Sequence, residues 1–332
     1  MVATAPAWGQ KPVTAHPLRI VFITQGVSSL VDSLASGPHS LIGLVLARED
    51  RAGLRQPLLC SMIDPVRRFV RGGTALERAA RVRNIPCFDY ANRGLSPELH
   101  DWLKALSPDV VVVYGMGWLL SAPILAIPRL GAINLHPALL PRYRGPRPTQ
   151  WTYFHMDLEP GVTVHFLDPG EDTGDIIHQR SFRIEPGTAW DTLHRNFIER
   201  VGGALLLRTL DDLCRGTVQR RPQPKESPTA RARFFPPDRY TELIDWDQWP
   251  VERVWHFLRG APPWVRPISQ LPGATGWLEW RVAGYIEGGP GDHPGRVRRN
   301  EGGWWLDCLD GRIRLEAAFR PLVLARRWLC SY

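Results

Sequence analysis

The sequence predicts an α/β fold: a mostly parallel sheet covered by helices, followed by a smaller, mainly β unit. Three observations carry this. Short β-branched runs alternate with segments of helical spacing between residues 18 and 215. A Pro-, Arg- and Ser-rich stretch at 216–240 then breaks the pattern. Beyond it, short alternating runs separated by glycines replace the helices, and nine of the fourteen tryptophans lie after residue 240. The expected organisation is a flexible tail at 1–17, an α/β domain at 18–215, a linker at 216–240 and a β domain at 241–332.

Residues 18–25 form an apolar run that stops at Gly26, the signature of a buried first strand, and 27–36 reads as the helix after it. Residues 41–47 give a second buried strand and 48–55 a polar loop. Residues 65–83 have helical spacing, with Phe69, Ala75, Ala79 and Val82 expected on the buried side. Ser96-Pro97-Glu98 is a start signal for a helix over 96–106. The run at 109–114 is the most β-branched in the chain and predicts a central strand. Further strands are expected at 132–136, 162–167 and 176–184. A long amphipathic helix is expected over 188–215, burying Trp190, Leu193, Phe197, Val201, Leu205 and Leu206. Residues 251–258 suggest one more helix, and four antiparallel strands follow at 277–283, 295–299, 304–308 and 312–319.

Composition narrows the function. Hydrophobic residues make up 44% and charged residues 22%, an ordinary soluble balance. No apolar run approaches the roughly 18 residues of a membrane span, and the first 17 residues lack the apolar core of a secretory signal. A cytoplasmic protein is expected, with no membrane partner. Cys60, Cys87, Cys214, Cys308 and Cys330 are scattered and form no C-x-x-C pair, which fits free thiols and argues against a metal site. The net charge of +8 comes almost wholly from arginine, since Lys11, Lys104 and Lys225 are the only lysines. There is no G-x-G-x-x-G after the first strand and no G-x-x-x-x-G-K-[ST], so dinucleotide and P-loop sites are not expected.

The chemistry concentrates between Gly131 and Gln179. Asn134 and His136 lie two apart at the end of an apolar run, which puts both side chains on one face of a strand. Asp172 follows in an Asp-Thr-Gly-Asp turn after a second apolar run. An amide, an imidazole and a carboxylate converging on one cleft suit acyl transfer.

The run Asn134-Leu135-His136-Pro137-Ala138-Leu139-Leu140-Pro141-Arg142-Tyr143-Arg144-Gly145 resembles the folate-dependent formyltransferases. So does Gly161-Val162-Thr163 up to Asp168-Pro169-Gly170-Glu171-Asp172-Thr173-Gly174-Asp175. Both motifs match without gaps and in order. The resemblance implies a Rossmann-like domain with an OB-like barrel in the place of the C-terminal unit. It also implies 10-formyltetrahydrofolate as formyl donor and an amine as acceptor. Asn134 would then donate to the oxyanion of a tetrahedral intermediate, His136 polarise the oxygen or take the amine proton, and Asp172 orient His136 and relay that proton. By the same resemblance the folate ring would sit against Tyr114, Gly115, Met116, Gly117, Trp118, Leu119 and Leu120 and against the Asp168, Gly170 and Glu171 loop. Leu139 and Leu140 would complete the apolar walls. Arg142 and Arg144 would contact an anionic acceptor or the folate tail, or make surface ion pairs.

The leading expectation for the acceptor is a small-molecule amine: an amino-sugar nucleotide, a hydroxylamine or another metabolite. Methionyl-tRNA formyltransferase is the alternative, and a formyltetrahydrofolate hydrolase comes third. Length, a barrel-like tail and positive charge favour tRNA. Against it stand a 48–55 loop without lysine, a 319–330 end without a G-K-K segment, Pro146-Arg147-Pro148 where the family has a small Ala-Ala-Pro stretch, and a Gly161–His165 run of the metabolite-directed kind. The tryptophans of the C-terminal unit are expected to fill its core by default, or to stack on an acceptor or form a homodimer interface.

Overall fold

The computed structural model describes residues 16–26, 28–47, 74–90, 96–275, 278–289, 293–300 and 302–318. Its larger part is built on seven strands: β1 (Arg19–Thr24), β2 (Ser40–Ala47), β3 (Cys87–Tyr90), β4 (Val110–Tyr114), β5 (Ala132–His136), β6 (Gly161–Phe166) and β7 (Ile176–Ser181). Their order is β3-β2-β1-β4-β5-β6-β7. The first five run parallel, β6 runs antiparallel to β5, and β7 runs antiparallel to β6. The 109–114 run is the middle strand, as its composition requires. All five residues of β4 are buried, and burying each such side chain contributes about 1.5–3 kcal/mol.

Alternation along the strands feeds two cores. Ile20, Phe22, Val110 and Val112 face one side with Leu30 and Leu34 of α1 (Ser29–Ala35). Val21, Ile23, Val111 and Val113 face the other with Leu99 and Leu103. Those leucines belong to α3 (Pro97–Leu106), which follows α2 (Ala75–Val82) and starts from Ser96, whose hydroxyl accepts from the Leu99 N–H. The chain moves outward in opposite directions from β1 and β4. The loops after these two strands therefore flank the crevice where such sheets bind ligands.

Several elements depart from expectation. In α2 the buried residues are Leu76 and Ala80, while Val82 is 84% exposed. The buried face is turned by one residue because Leu76, not Ala75, is the large side chain there. The rest of the expected 65–83 helix lies outside the described residues up to residue 73. Edge strand β3 and the short helices α4 (Ala122–Leu125) and α5 (Pro148–Phe154) were not expected. The long helix is continuous but changes form, from Trp190–Thr192 through a π-helical stretch at Leu193–Glu199 to α6 (Arg200–Arg215). The wider π turns shift its register, so Ile198, Gly202, Leu206, Leu210 and Leu213 are buried. Phe197, Val201 and Leu205 are only partly covered.

After α7 (Val251–Arg259) come β8 (Glu279–Glu287), β9 (Val297–Asn300), β10 (Gly303–Asp307) and β11 (Gly311–Ala318). They form an antiparallel sheet in the order β8-β11-β10-β9, the small β unit expected from the glycine-spaced runs. Trp304 packs edge-on against Trp280, while Trp305 faces the other way, opposite Arg298 and Arg314. Val254, Phe257, Leu306 and Ile313 join the same buried cluster as Ile133 and Leu135. Of the five cysteines, Cys87, Cys214 and Cys308 are described, and none of these three is in a disulfide. Among the described residues no helix is long and apolar enough to cross a membrane.

Candidate active site

Asn134 and His136 project from the same face of β5, at its carboxyl end. The antiparallel neighbour places His165 directly opposite Asn134 and Thr163 opposite His136. Directly opposed residues share a face, so this register brings a second histidine into the site. Asp172 comes from the turn between β6 and β7. Its Oδ2 lies 3.6 Å from His136 Nδ1, and its Oδ1 lies 3.5 Å from both His165 Nε2 and Asn134 Nδ2. Asn134 Nδ2 also donates to His165 Nε2 at 3.2 Å. The Asp172 carboxylate thus stands within 3.6 Å of polar atoms of Asn134, His136 and His165.

Hydrogen bonds assign the proton on each ring. His165 Nδ1 faces the Phe166 carbonyl at 2.8 Å, and a carbonyl only accepts, so Nδ1 carries the hydrogen and Nε2 is free to accept from Asn134. His136 Nε2 likewise donates to the Tyr143 carbonyl at 3.0 Å, which leaves the Nδ1 lone pair turned toward Asp172. Burial pushes the His136 pKa below the ordinary imidazole value, and His165 adds to this, although Asp172 and the Tyr143 carbonyl pull the other way. The ring is therefore neutral near pH 7, with a basic nitrogen beside a carboxylate. Burial alone would raise the Asp172 carboxyl. When protonated, the His136 and His165 rings, with the Gly145 N–H that donates at 2.9 Å, outweigh it and hold Asp172 well below the usual carboxylate range.

The surrounding loops are fixed by polar contacts. Thr163 donates to the Ala138 carbonyl at 2.7 Å and accepts from the Leu140 N–H at 3.1 Å. Gln179 donates to the Leu140 carbonyl at 2.7 Å. Leu139 packs on Gly161, where a Cβ would clash with it, and Leu140 is buried. In the Asp172 turn, Asp168 accepts from Thr173 Oγ1 at 2.8 Å and from the Gly170 N–H at 3.1 Å, so its carboxylate holds the turn. Glu171 points outward to Arg231 and Arg233. Arg142 is paired with Asp157 at 2.6 Å. Arg144 is only 3% exposed and bonds Gln223 and the carbonyls of Pro224 and Lys225. Neither arginine is a free anion grip.

The loop after β4 borders the same crevice. Gly115 has φ +71°, and among the described residues nothing lies within 4 Å of where its Cβ would be. Among the described residues a Cβ on Gly117 would meet only Gln25 Nε2 at 3.7 Å, in the loop after β1. Trp118 Nε1 and Ser121 Oγ are buried without a hydrogen-bond partner among the described residues. An open backbone and two unsatisfied polar groups suit a flat heterocycle rich in hydrogen-bonding edges. Met116 and Trp118 pack against the core, and Leu120 is part of it. Leu119 is 50% exposed, and Tyr114, raised by burial, lies 3.5 Å from His194 Nδ1. Apart from this crevice, a cavity of about 260 Å³ lies between α7 and β8, and its lining includes none of the site residues.

Sequence reasoning missed His165 as a site residue. The signal was there: Thr163 and His165 repeat on β6 the two-residue spacing of Asn134 and His136 on β5. The register that pairs them is not visible in the sequence.

A sequence model described as formyl transferase matches residues 21–210. The methionyl-tRNA formyltransferase of Symbiobacterium thermophilum is 35% identical over 246 residues, covering 73% of this chain and 73% of that protein. That of Roseiflexus sp. is 34% identical over 277 residues, covering 80% and 74%. In fold, the chain is similar to a 4-N formyltransferase from Francisella tularensis, with a TM-score of 0.51, 15% identity, and coverage of 89% of this chain and 97% of that one. The leading expectation of a small-molecule acceptor is overturned by these relatives, which carry the name of the alternative across about three quarters of the chain. Scarce lysine does not exclude tRNA, since arginine supplies the same positive charge to a phosphate. Residues 48–55 and 319–330 lie outside the described residues. The resemblance in the two motifs and the expectation of a group-transfer enzyme are borne out, and the chain belongs to the formyl transferase family.

Proposed function

We propose that this chain is a cytoplasmic methionyl-tRNA formyltransferase, moving the formyl group of 10-formyltetrahydrofolate to the α-amine of methionyl-tRNA. The observation that carries the reading is its similarity to enzymes of that name over 73% of both chains. The polar cluster supports it. In this reading residues 18–215 carry the chemistry, 216–240 join the two units and 241–332 meet the acceptor.

The folate supplies an activated formyl carbon. Asn134 donates from Nδ2 to the formyl oxygen as negative charge develops there. Its 3.5 Å contact with Asp172 is at the limit of a hydrogen bond and is the one exchanged, while the 3.2 Å bond to His165 holds the amide in place. The amine nitrogen bonds to the formyl carbon and loses a proton to His136 Nδ1, directly or through Asp172. The carbon–nitrogen bond to the folate breaks, and its nitrogen takes up a proton. Asp172 stabilises the imidazolium formed in between. Gly115 and Gly117 let the backbone approach the pterin, and Leu140 closes the apolar wall.

The test is tetrahydrofolate release by the full chain, measured with methionyl-tRNA, with no acceptor, and with a panel of amino-sugar nucleotides. Turnover that requires methionyl-tRNA supports the reading. Turnover without acceptor, or only with a panel member, refutes it.

A further inference from the structure

We infer that Gln223, seated by the buried Arg144, is a positioning residue for this transfer: it fixes the turn that carries Asp172, and with it the separation of Asp172 from His136. This rests on the proposed roles of Asn134, His136 and Asp172.

Asp172 has φ +54°, in the left-handed region that residues other than glycine rarely adopt. Such a conformation persists only where the surroundings fix it more than once. Gln223 does so from 51 residues away. Its Nε2 donates to the carbonyls of Asp172 at 3.0 Å and Gly174 at 2.6 Å, on either side of Thr173. Its Oε1 accepts from Arg144 Nε at 3.2 Å and Nη2 at 2.8 Å. Both hydrogens and both lone pairs of the amide are thus used. Arg144 also donates to the Pro224 and Lys225 carbonyls.

The contacts form a ring that closes on Asp172. The N–H of Gly145, next to Arg144, holds the Asp172 carboxylate at 2.9 Å, while the Arg144 side chain reaches the Asp172 backbone through Gln223. The ring is anchored from outside. The Ala232 N–H donates to the Arg144 carbonyl at 2.7 Å, and Thr229 Oγ1 accepts from the Tyr143 N–H at 2.7 Å. Asp172 is therefore held at its carboxylate and at its carbonyl by one chain segment, 143–145, and by what that segment grips.

Two variants of the full chain separate positioning from packing. Gln223→Glu keeps an acceptor for Arg144 but loses both donors to the turn. Gln223→Met keeps the size and loses everything polar. In both, kcat for methionyl-tRNA formylation should fall about 10- to 100-fold, the cost of misplacing a reacting group by roughly 1 Å. KM for both substrates should stay within about threefold. The acid limb of the pH profile should also move to lower pH. Asp172 and Glu171 favour the His136 cation and His165 opposes it, so drawing Asp172 away weakens the larger favourable influence.

Wild-type kcat and an unmoved acid limb in Gln223→Glu would overturn the inference, leaving Gln223 as a partner for Arg144 alone. Activity lost only in proportion to a lowered Tm, with the limb unmoved in both variants, would also overturn it. Asn134→Ala is the control for the reading beneath. If that variant keeps full kcat, the catalytic assignment fails. If it is slow while Gln223→Glu is normal, only the positioning role fails.

Discussion

Asn134→Ala isolates the stabilisation of charge on the formyl oxygen. The side chain makes two donations, at 3.2 Å to His165 and at 3.5 Å to Asp172, and in the proposed reaction the second is redirected to that oxygen. Loss of one such donor in a water-poor site costs roughly 3 kcal/mol, or on the order of 100- to 1,000-fold in kcat. Because the donor acts as charge develops, KM for the folate should stay within about threefold. The deletion also strands His165 Nε2, which is fully buried, so stability should fall by about 1–3 kcal/mol. Single-turnover formation of formyl-methionyl-tRNA measures the first effect, and urea denaturation the second. A kcat within about threefold of wild type, in a variant whose stability has fallen as expected, would refute the oxyanion role.

Three further outcomes follow from burial and charge. The neutral His136 is the proposed base and burial lowers its pKa, so the acid limb of kcat/KM should lie below 6.5; an imidazole resonance titrating above that value would contradict this. His194 is pushed down to about 4 by burial, so it stays neutral in the folded chain while its unfolded counterpart protonates near 6.5. Stability should therefore fall as pH drops from about 6.5 to about 4, and His194→Phe should weaken that dependence in a pH series of Tm values; an unchanged series would refute it. Gly260→Ala drives a Cβ into the ring of the fully buried Tyr153, so overpacking should cost about 1–3 kcal/mol and lower Tm by several degrees in calorimetry.

The central strand, the alternation feeding both cores and the convergence of Asn134, His136 and Asp172 were legible because each has a local signature. A run of valines, a two-residue spacing and a turn rich in Asp and Gly need no knowledge of distant partners. His165 was not legible as a site residue, because its role depends on the register between β5 and β6. The true buried line of the long helix was hidden by its π-helical stretch, which no 3.6-residue period describes. Residues 221–235 look like a linker by composition. Their bonds reach Asp172, Arg144 and Trp151, 51 to 82 positions away, and leave no periodic trace in the sequence. The acceptor was misjudged by weighing lysine against arginine, which share the charge that matters for phosphate.

That last segment bears on how such chains recombine. The family match ends at residue 210, yet Gln223 and the residues gripping the 141–147 loop come later. A crossover placed at the end of α6 would exchange C-terminal halves between relatives and deliver each 141–147 loop to a foreign clasp. Hybrids of that kind should inherit an intact Asn134, His136 and Asp172 and still be poor enzymes, whereas a junction after Phe235 transmits the loop and its clasp as one heritable block.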